Sequence, residues 1–174
     1  MPFNPIDPVD LTARLIRCRS VTPEDGGAIA LLSDVLTDAG FSCTRVDRGG
    51  IANLYARWGQ RGANRAFGFN GHTDVVPVVG QAWDADPFKL VEKDGRLYGR
   101  GTSDMKGFIA CVLARVPEFM ERGLKAPLHL AFSYDEEVGC IGVRRLIDMM
   151  NGLGVKPKMC IVGEPTDMQV TIGH

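Results

Sequence analysis

Apolar residues recur at helical spacing in four stretches of the chain. The pattern predicts a helix that begins near residues 8–10 and is broken at 19–23, followed by helices at 27–39, 108–121 and 139–150. The predicted buried faces carry Phe108, Val112, Val116 and Phe119 in the third helix and Val143, Leu146, Ile147 and Met150 in the fourth. Each helix is therefore expected to pack one face against a core.

Short runs rich in strand-forming residues separate these helices. They predict strands at 41–46, 51–58, 66–70, 127–134 and 158–162, and a hairpin over 89–98 with its turn at Asp94-Gly95. The run at 127–134 alternates, with Leu128, Leu130 and Phe132 on one side and His129 and Ala131 on the other. Strands that alternate with helices indicate an α/β fold.

The segment GHTDVVP at 71–77 ends an apolar strand with a histidine and a carboxylate two residues apart. On an extended backbone His72 and Asp74 share a face, so both side chains can reach one site. Histidine is the commonest metal ligand, and its second ring nitrogen usually needs a carboxylate or carbonyl to fix the tautomer. A structural histidine at a strand end is the alternative.

Asp104 lies in the loop GRGTSDMKG, directly before the third predicted helix. It could bind a metal or only cap the helix, which is the usual role of an aspartate there. A phosphate-binding loop is disfavoured, because the motif lacks its third glycine and no clean apolar strand precedes it.

Two further strands also end in carboxylates. Asp135, Glu136 and Glu137 follow the strand at 127–134, and Glu164 follows the strand at 158–162. Adjacent carboxylates repel one another, and a divalent cation would relieve that repulsion; an exposed acidic turn is the alternative. If Glu136 and Glu137 continue the strand, they face opposite ways. Nitrogen and oxygen donors that converge at strand ends suit zinc, cobalt or manganese in a hydrolytic site.

Composition narrows the class of protein. The 174 residues, 45% apolar and 24% charged with a net charge of −1, fit one soluble globular domain without the basic excess of a nucleic-acid binder. The chain has neither a signal-peptide pattern nor an 18-residue apolar run, so we expect a cytosolic location. Five cysteines without a CxxC pair argue against disulfides and thiolate zinc sites, and we expect them to be buried small apolar residues.

The segments GHTDVVP, GRGTSDMKG, SYDEEVG and IVGEPT, in this order and at these separations, resemble the M20 family of dinuclear metallohydrolases. Within the family the chain resembles most the acetylornithine deacetylases, then the succinyl-diaminopimelate desuccinylases and the glutamate carboxypeptidases. The resemblance implies a three-layer α/β/α fold with a mixed, mostly parallel central sheet. It also implies hydrolysis of N2-acetyl-L-ornithine to ornithine and acetate, in arginine biosynthesis. The alternatives are desuccinylation, in lysine biosynthesis, and carboxypeptidase activity.

Carried over by position, the resemblance implies that His72 and Glu164 bind one metal ion, Glu137 binds the other, and Asp104 bridges both. Asp74 would orient His72. Glu136 would be the general base that takes a proton from the water between the metals and passes it to the leaving amine. The implied cofactors are two zinc or cobalt ions, and the substrate is a small N-acyl amino acid. A cis peptide bond after Asp104 is also implied.

The family has a second domain inserted after the GEPT segment, and a final metal-binding histidine beyond it. The resemblance therefore implies that residues 1–174 are the N-terminal portion of the catalytic domain, without the lid and dimerisation domain of a homodimeric enzyme. Such a portion is expected to hold one ion better than two, or none, and to catalyse poorly. We expect His129 to have a packing or surface role and His174 to contact substrate. A non-catalytic metal-binding or scaffold relative is the alternative, although Glu136 beside Glu137 speaks against it.

Overall fold

The computed structural model describes residues 5–60 and 66–172. Its elements follow the chain in the order α1 (Pro8–Arg17), α2 (Ala28–Asp38), β1 (Ser42–Arg48), β2 (Ile51–Trp58), β3 (Phe67–His72), β4 (Val91–Lys93), β5 (Arg96–Tyr98), α3 (Gly107–Glu121), β6 (Leu128–Ser133), α4 (Val143–Gly152) and β7 (Met159–Val162). An irregular turn, Thr102–Lys106, precedes α3. The helices and strands predicted from the sequence are present, with shifted ends.

Five strands form the central sheet in the order β1-β2-β6-β3-β7. β3 runs parallel to both β6 and β7, whereas β2 is antiparallel to both β1 and β6. Four of these five strands therefore point the same way, which confirms the mixed, mostly parallel sheet. β4 and β5 form the separate predicted hairpin.

Helices cover both faces of the sheet. α1, α2 and α3 enclose the main core on one face, where they meet strand residues such as Leu54, Leu130 and Phe132. α4 packs on the opposite face through Leu146, next to Tyr55. His129 lies on that second face, and its Nδ1 is 2.6 Å from the hydroxyl of Tyr55. The alternation predicted for β6 and the packing role predicted for His129 are confirmed.

The predicted buried face of α3 is partly wrong. Ile109, Leu113 and Val116 are fully buried, whereas Phe108 and Phe119 are only partly buried. α3 packs against α1 as well as against the sheet, so its buried arc is wider and is centred on a different stripe.

The predictions for α4 and β7 need larger corrections. α4 begins at Val143 rather than at residue 139, because the backbone N–H groups of Gly139 and Cys140 both turn back to the carbonyl of Glu136. Ile147 is 48% exposed instead of buried. β7 is continuous and apolar, as a buried strand would be, but it forms an end of the described sheet and its residues are exposed.

The expectation that all five cysteines are buried is wrong. Cys111, Cys140 and Cys160 are exposed, and Cys18 and Cys43 are half-buried; all five are free thiols.

Within the described ranges, we find no helix with the length and apolar character needed to span a bilayer.

Candidate metal centre

The strand order brings the predicted ligands to one edge of the sheet. β3 and β6 are parallel neighbours, and His72 pairs with Ser133 at the ends of the two strands. β7 lies on the other side of β3, so Glu164, two residues beyond its end, follows onto the same edge. The carboxyl ends of neighbouring parallel strands meet at one edge, which is where α/β sheets bind ligands.

Three predicted ligands form a compact cluster. Nε2 of His72 lies 3.0 Å from Oδ1 of Asp104 and 3.7 Å from Oε1 of Glu164. One ligand atom from each residue falls within 4.8 Å of the other two. Bonds of about 2.0 Å to a tetrahedral ion would place ligand atoms about 3.3 Å apart, so the spacing of these residues fits a divalent metal ion.

The electrostatics of the cluster favour a cation. Burial by itself would lower the pKa of His72, but the hydrogen bond and charge of Asp74, with the charges of Glu164 and Asp104, raise it to about 9. The pKa of Glu137 is raised, first by desolvation and then by repulsion from Asp104. Without a metal ion, the cluster therefore favours the protonated forms of His72 and Glu137. A bound divalent ion would favour the deprotonated form of each.

Glu137 stands apart from the compact cluster. Among the described residues, the group of ligand atoms within 4.8 Å of one another comprises His72, Asp104 and Glu164. Glu137 is coupled electrostatically to Asp104. Its role at a second ion, implied by the resemblance, stays a prediction.

Asp74 is fully buried at the centre of the site. Its own backbone carbonyl lies 3.0 Å from Nδ1 of His72, and its carboxylate lies 3.5 Å from the same nitrogen. The carbonyl oxygen and the carboxylate of Asp74 therefore both face Nδ1, which is the ring nitrogen that does not point to the cluster. Although burial would raise the pKa of Asp74, the hydrogen bonds from His72 and from the backbone N–H groups of Glu136 and Glu137 lower it.

Glu136 joins the cluster from the loop after β6, with Oε2 3.8 Å from Nε2 of His72. The expected strand-like alternation of Glu136 and Glu137 is wrong, because β6 ends at Ser133 and Asp135 has a positive φ of 59°. Asp135 is buried away from solvent, and desolvation raises its pKa. Glu136 is thus a carboxylate beside the ligand group rather than within it, and its role as general base stays a prediction.

The turn before α3 delivers Asp104. Its peptide bond to Met105 is cis, as the resemblance implied. The carboxylate is directed to His72 and does not cap α3, so the capping alternative is wrong. Glu164 arrives by a close approach at Gly163, where an added Cβ would lie 2.0 Å from the Phe108 ring. Only glycine lets the end of β7 pass so close to α3.

Sequence reasoning missed several residues that hold this site. Thr22 donates its hydroxyl to Oδ2 of Asp74 at 3.1 Å, and the Cys140 thiol donates to Oε1 of Glu136 at 3.3 Å. Met105 and Lys106 anchor the turn around Asp104. Met105 and Lys106 stand in the GRGTSDMKG segment, but no local sequence pattern marks any of these four residues as part of a site. His174 lies outside the described residues.

An apolar groove of about 410 Å³ lies elsewhere, lined by residues that include Phe67, Phe69, Phe119 and Leu128. It contains none of the ligands, and it lacks the convergent polar groups that usually orient a substrate. The strand-end cluster and this groove are therefore separate features of the protein.

Comparison with known proteins shows a family match and similar relatives. Residues 68–174 match the model described as Peptidase family M20/M25/M40. The succinyl-diaminopimelate desuccinylase of Cereibacter sphaeroides (strain ATCC 17025 / ATH 2.4.3) is 52% identical over 165 residues, which cover 93% of this chain and 43% of the relative. Succinyl-diaminopimelate desuccinylase 1 of Ruegeria sp. (strain TM1040) is 51% identical over 163 residues, which cover 92% of this chain and 43% of the relative.

The chain spans less than half the length of these curated relatives. Both relatives are named succinyl-diaminopimelate desuccinylases, the activity that the sequence analysis gave as an alternative. They do not support the acetylornithine deacetylase that the sequence analysis preferred. The sequence motifs were too widely shared in the family to separate the two.

Solved structures agree on the fold. The M20 family metallo-carboxypeptidase Sso-CP2 from Sulfolobus solfataricus matches with a TM-score of 0.79 at 21% identity, over 90% of this chain and 37% of that one. Human carnosine dipeptidase 1 matches with a TM-score of 0.78 at 24% identity, over 89% of this chain and 37% of that one. At these identities the likeness shows the fold alone.

Proposed function

This chain belongs to peptidase family M20/M25/M40, and from that membership we propose that it carries the metal-binding residues of an enzyme that hydrolyses succinyl-diaminopimelate to succinate and diaminopimelate. The observation that carries the hydrolytic part is the position of Glu136, 3.8 Å from His72, beside a group of three residues that could hold a metal ion. A site that only bound metal would have no use for this additional carboxylate. The identity to the desuccinylases supports the substrate.

In this proposal His72, Asp104 and Glu164 hold a zinc or cobalt ion. When bound, the ion supplies Lewis acidity to the amide carbonyl and lowers the pKa of water. Glu136 takes a proton from the attacking water and delivers it to the nitrogen of the leaving amine, so that one carboxylate serves as base and then as acid. Asp74 keeps the His72 ring in the orientation and tautomer that leave Nε2 for the ion.

Removal of an acetyl group from acetylornithine is the second candidate. It is favoured by the segment 134–140, YDEEVGC, which resembles the deacetylases. Both reactions break an amide bond between an acyl group and an amino group that is α to a carboxylate, so the metal centre serves either one. The difference lies in the acyl group, which is a carboxylate-bearing succinyl chain in one substrate and a neutral acetyl group in the other.

A comparison of the two substrates tests the proposal. The protein at its full natural length is loaded with Zn²⁺ or Co²⁺, and amine release is followed with N-succinyl-diaminopimelate and with N-acetylornithine. We expect the higher kcat/KM for the succinyl substrate. A higher kcat/KM for N-acetylornithine would favour the second candidate. Failure of metal-loaded protein to hydrolyse either compound would contradict the proposed activity.

A further inference from the structure

Lys106 is a completely buried lysine at the end of the turn that carries Asp104. Its Nζ donates to the carbonyl oxygen of Leu15 at 2.9 Å and to that of Cys18 at 2.8 Å. These carbonyls lie at the C-terminal end of α1, where the helix dipole is negative. Each of them also accepts one backbone N–H, from Cys18 and from Ser20 respectively. Because a buried charge needs such partners to offset its desolvation, α1 holds Lys106 in a defined place.

The backbone around Asp104 is fixed on its C-terminal side. The N–H of Lys106 donates to the carbonyl of Gly101 at 2.8 Å. Met105 is also fully buried, and its Sδ accepts the backbone N–H of His72 at 3.2 Å. Gly101 has a φ of 89°, and a Cβ there would lie 3.1 Å from Cδ of Lys106, so glycine leaves room for the lysine stem.

Asp104 lies between solvent and the buried His72. Its side chain is 47% exposed, yet Oδ1 lies 3.0 Å from Nε2 of the buried His72. A carboxylate on a surface turn would otherwise sample several rotamers, and ordering it costs conformational entropy. The interactions of Met105 and Lys106 with β3 and α1 supply that order from inside the protein.

We propose that Lys106 is a positioning residue of the metal centre, which ties the turn to the end of α1 and so holds the Asp104 carboxylate beside His72 where both bind the ion. This inference rests on the proposed function, because it requires that His72, Asp104 and Glu164 hold a metal. Lys106 itself does not reach the ion; it acts through Asp104. Groups that orient metal ligands typically change metal affinity by about 10- to 100-fold.

A purely structural role for Lys106 would be to satisfy the end of α1. Either role predicts that replacing Lys106 lowers stability, so a melting temperature cannot separate the two. Metal affinity separates them, because a structural residue changes the fraction of folded protein but leaves the geometry of the folded site intact.

The test compares Lys106→Met with Leu36→Ala. Methionine keeps an unbranched apolar stem but removes the ammonium group, while Leu36→Ala opens a cavity at a fully buried position of α2 and serves as the control for lost stability. Zn²⁺ affinity is measured by competition with a chromophoric chelator, and the visible absorption of bound Co²⁺ reports the ligand geometry. We expect a Kd about 10- to 100-fold weaker and an altered Co²⁺ spectrum for Lys106→Met. Leu36→Ala should bind Zn²⁺ as the parent protein does.

A Kd and a Co²⁺ spectrum of Lys106→Met that match those of the parent protein would overturn the proposal. Lys106→Gln, which keeps a shorter donor, replaces Lys106→Met if the latter does not fold. If neither variant folds while Leu36→Ala does, Lys106 serves the fold and the proposal is wrong.

His72→Ala separates failure of this inference from failure of the proposed function. If the parent protein binds Zn²⁺ no more tightly than His72→Ala, the proposed metal centre is wrong. If the parent protein binds through His72 and Lys106→Met binds equally well, only the positioning role of Lys106 is wrong.

Discussion

The carboxylate of Asp74 accepts a hydrogen bond from the backbone N–H of Glu136, with 3.2 Å between Oδ1 and the nitrogen. Its other oxygen accepts the N–H of Glu137 at 3.2 Å. Asp74 follows β3 and the two glutamates follow β6, so one buried carboxylate fixes the histidine-bearing strand end relative to the acidic loop. Asp74 therefore contacts both the His72 ring and the backbone of the acidic loop.

We expect Asp74→Asn to weaken Zn²⁺ binding by about 10- to 100-fold, because the amide loses the charge and cannot accept both backbone N–H groups. In the metal-free protein the pKa of His72, about 9, should fall, since Asp74 is the main group that stabilises the imidazolium. Chelator competition gives the affinity, and NMR titration of the imidazole gives the pKa. Asp86→Asn, at an exposed carboxylate that pairs with Arg19, is the control. An unchanged His72 pKa in Asp74→Asn would contradict the assigned contact.

The ligand group predicts about one tightly held ion per 174-residue chain. Glu164→Gln should weaken that ion's binding by about tenfold or more, and Glu137→Gln by less, because Glu137 lies outside the compact group.

The affinity for the metal ion should also fall as the pH is lowered, because a proton competes with the ion for His72. Isothermal titration with Zn²⁺ measures stoichiometry and affinity. Two equally tight ions per chain would show that Glu137 and its partners form a complete second site.

Glu136→Gln should abolish most turnover and leave metal binding intact. The amide cannot accept a proton from water, and loss of a general base typically costs about 10²- to 10⁴-fold in rate. Amine release by metal-loaded protein of full natural length measures turnover, and chelator competition confirms the bound ion. Glu92→Gln, at an exposed position of β4, is the matched control. Unchanged turnover in Glu136→Gln would remove its assigned role.

The titration of His129 should lower the free energy of unfolding in mild acid. Burial and, secondly, the charge of Arg57 lower its pKa below the ordinary 6.5. Near neutral pH the imidazole is uncharged in both states; as the pH falls below 6.5, the unfolded chain binds a proton that the folded chain excludes, so the free energy of unfolding decreases. Urea denaturation at about pH 7.5 and pH 5 should show a smaller decrease for His129→Gln than for the parent protein. An equal decrease in both would contradict the predicted titration.

Neighbouring residues of α4 give a check on its orientation. Leu146 is 1% exposed and Ile147 is 48% exposed, whereas the sequence pattern put both in the core. Leu146→Ala should lower the free energy of unfolding by about 2–5 kcal/mol, and Ile147→Ala should lower it by well under about 2 kcal/mol. Denaturant titration of both variants measures this difference. Equal losses would mean that α4 packs as the sequence predicted.

The sequence by itself determined most of the helices and strands, and it predicted the three residues that the structure brings together, His72, Asp104 and Glu164. Helical and alternating periodicities are properties of neighbouring residues, so α1, α2 and the hairpin around Asp94-Gly95 could be located from them. His72, Asp104 and Glu164 could be singled out because carboxylates and histidine at the ends of apolar segments are costly without a partner. The order of the four motifs was sufficient to identify the family.

Only the tertiary structure decided how those segments meet. The order β1-β2-β6-β3-β7 makes β3 and β6 neighbours and leaves β7 exposed, and no local pattern encodes a pairing between strands about sixty residues apart. The same holds for the contacts of Asp74 with the Glu136 loop and of Lys106 with the end of α1. Such contacts depend on where a buried polar group finds a partner after the chain has packed, which is a property of the whole fold rather than of any one segment.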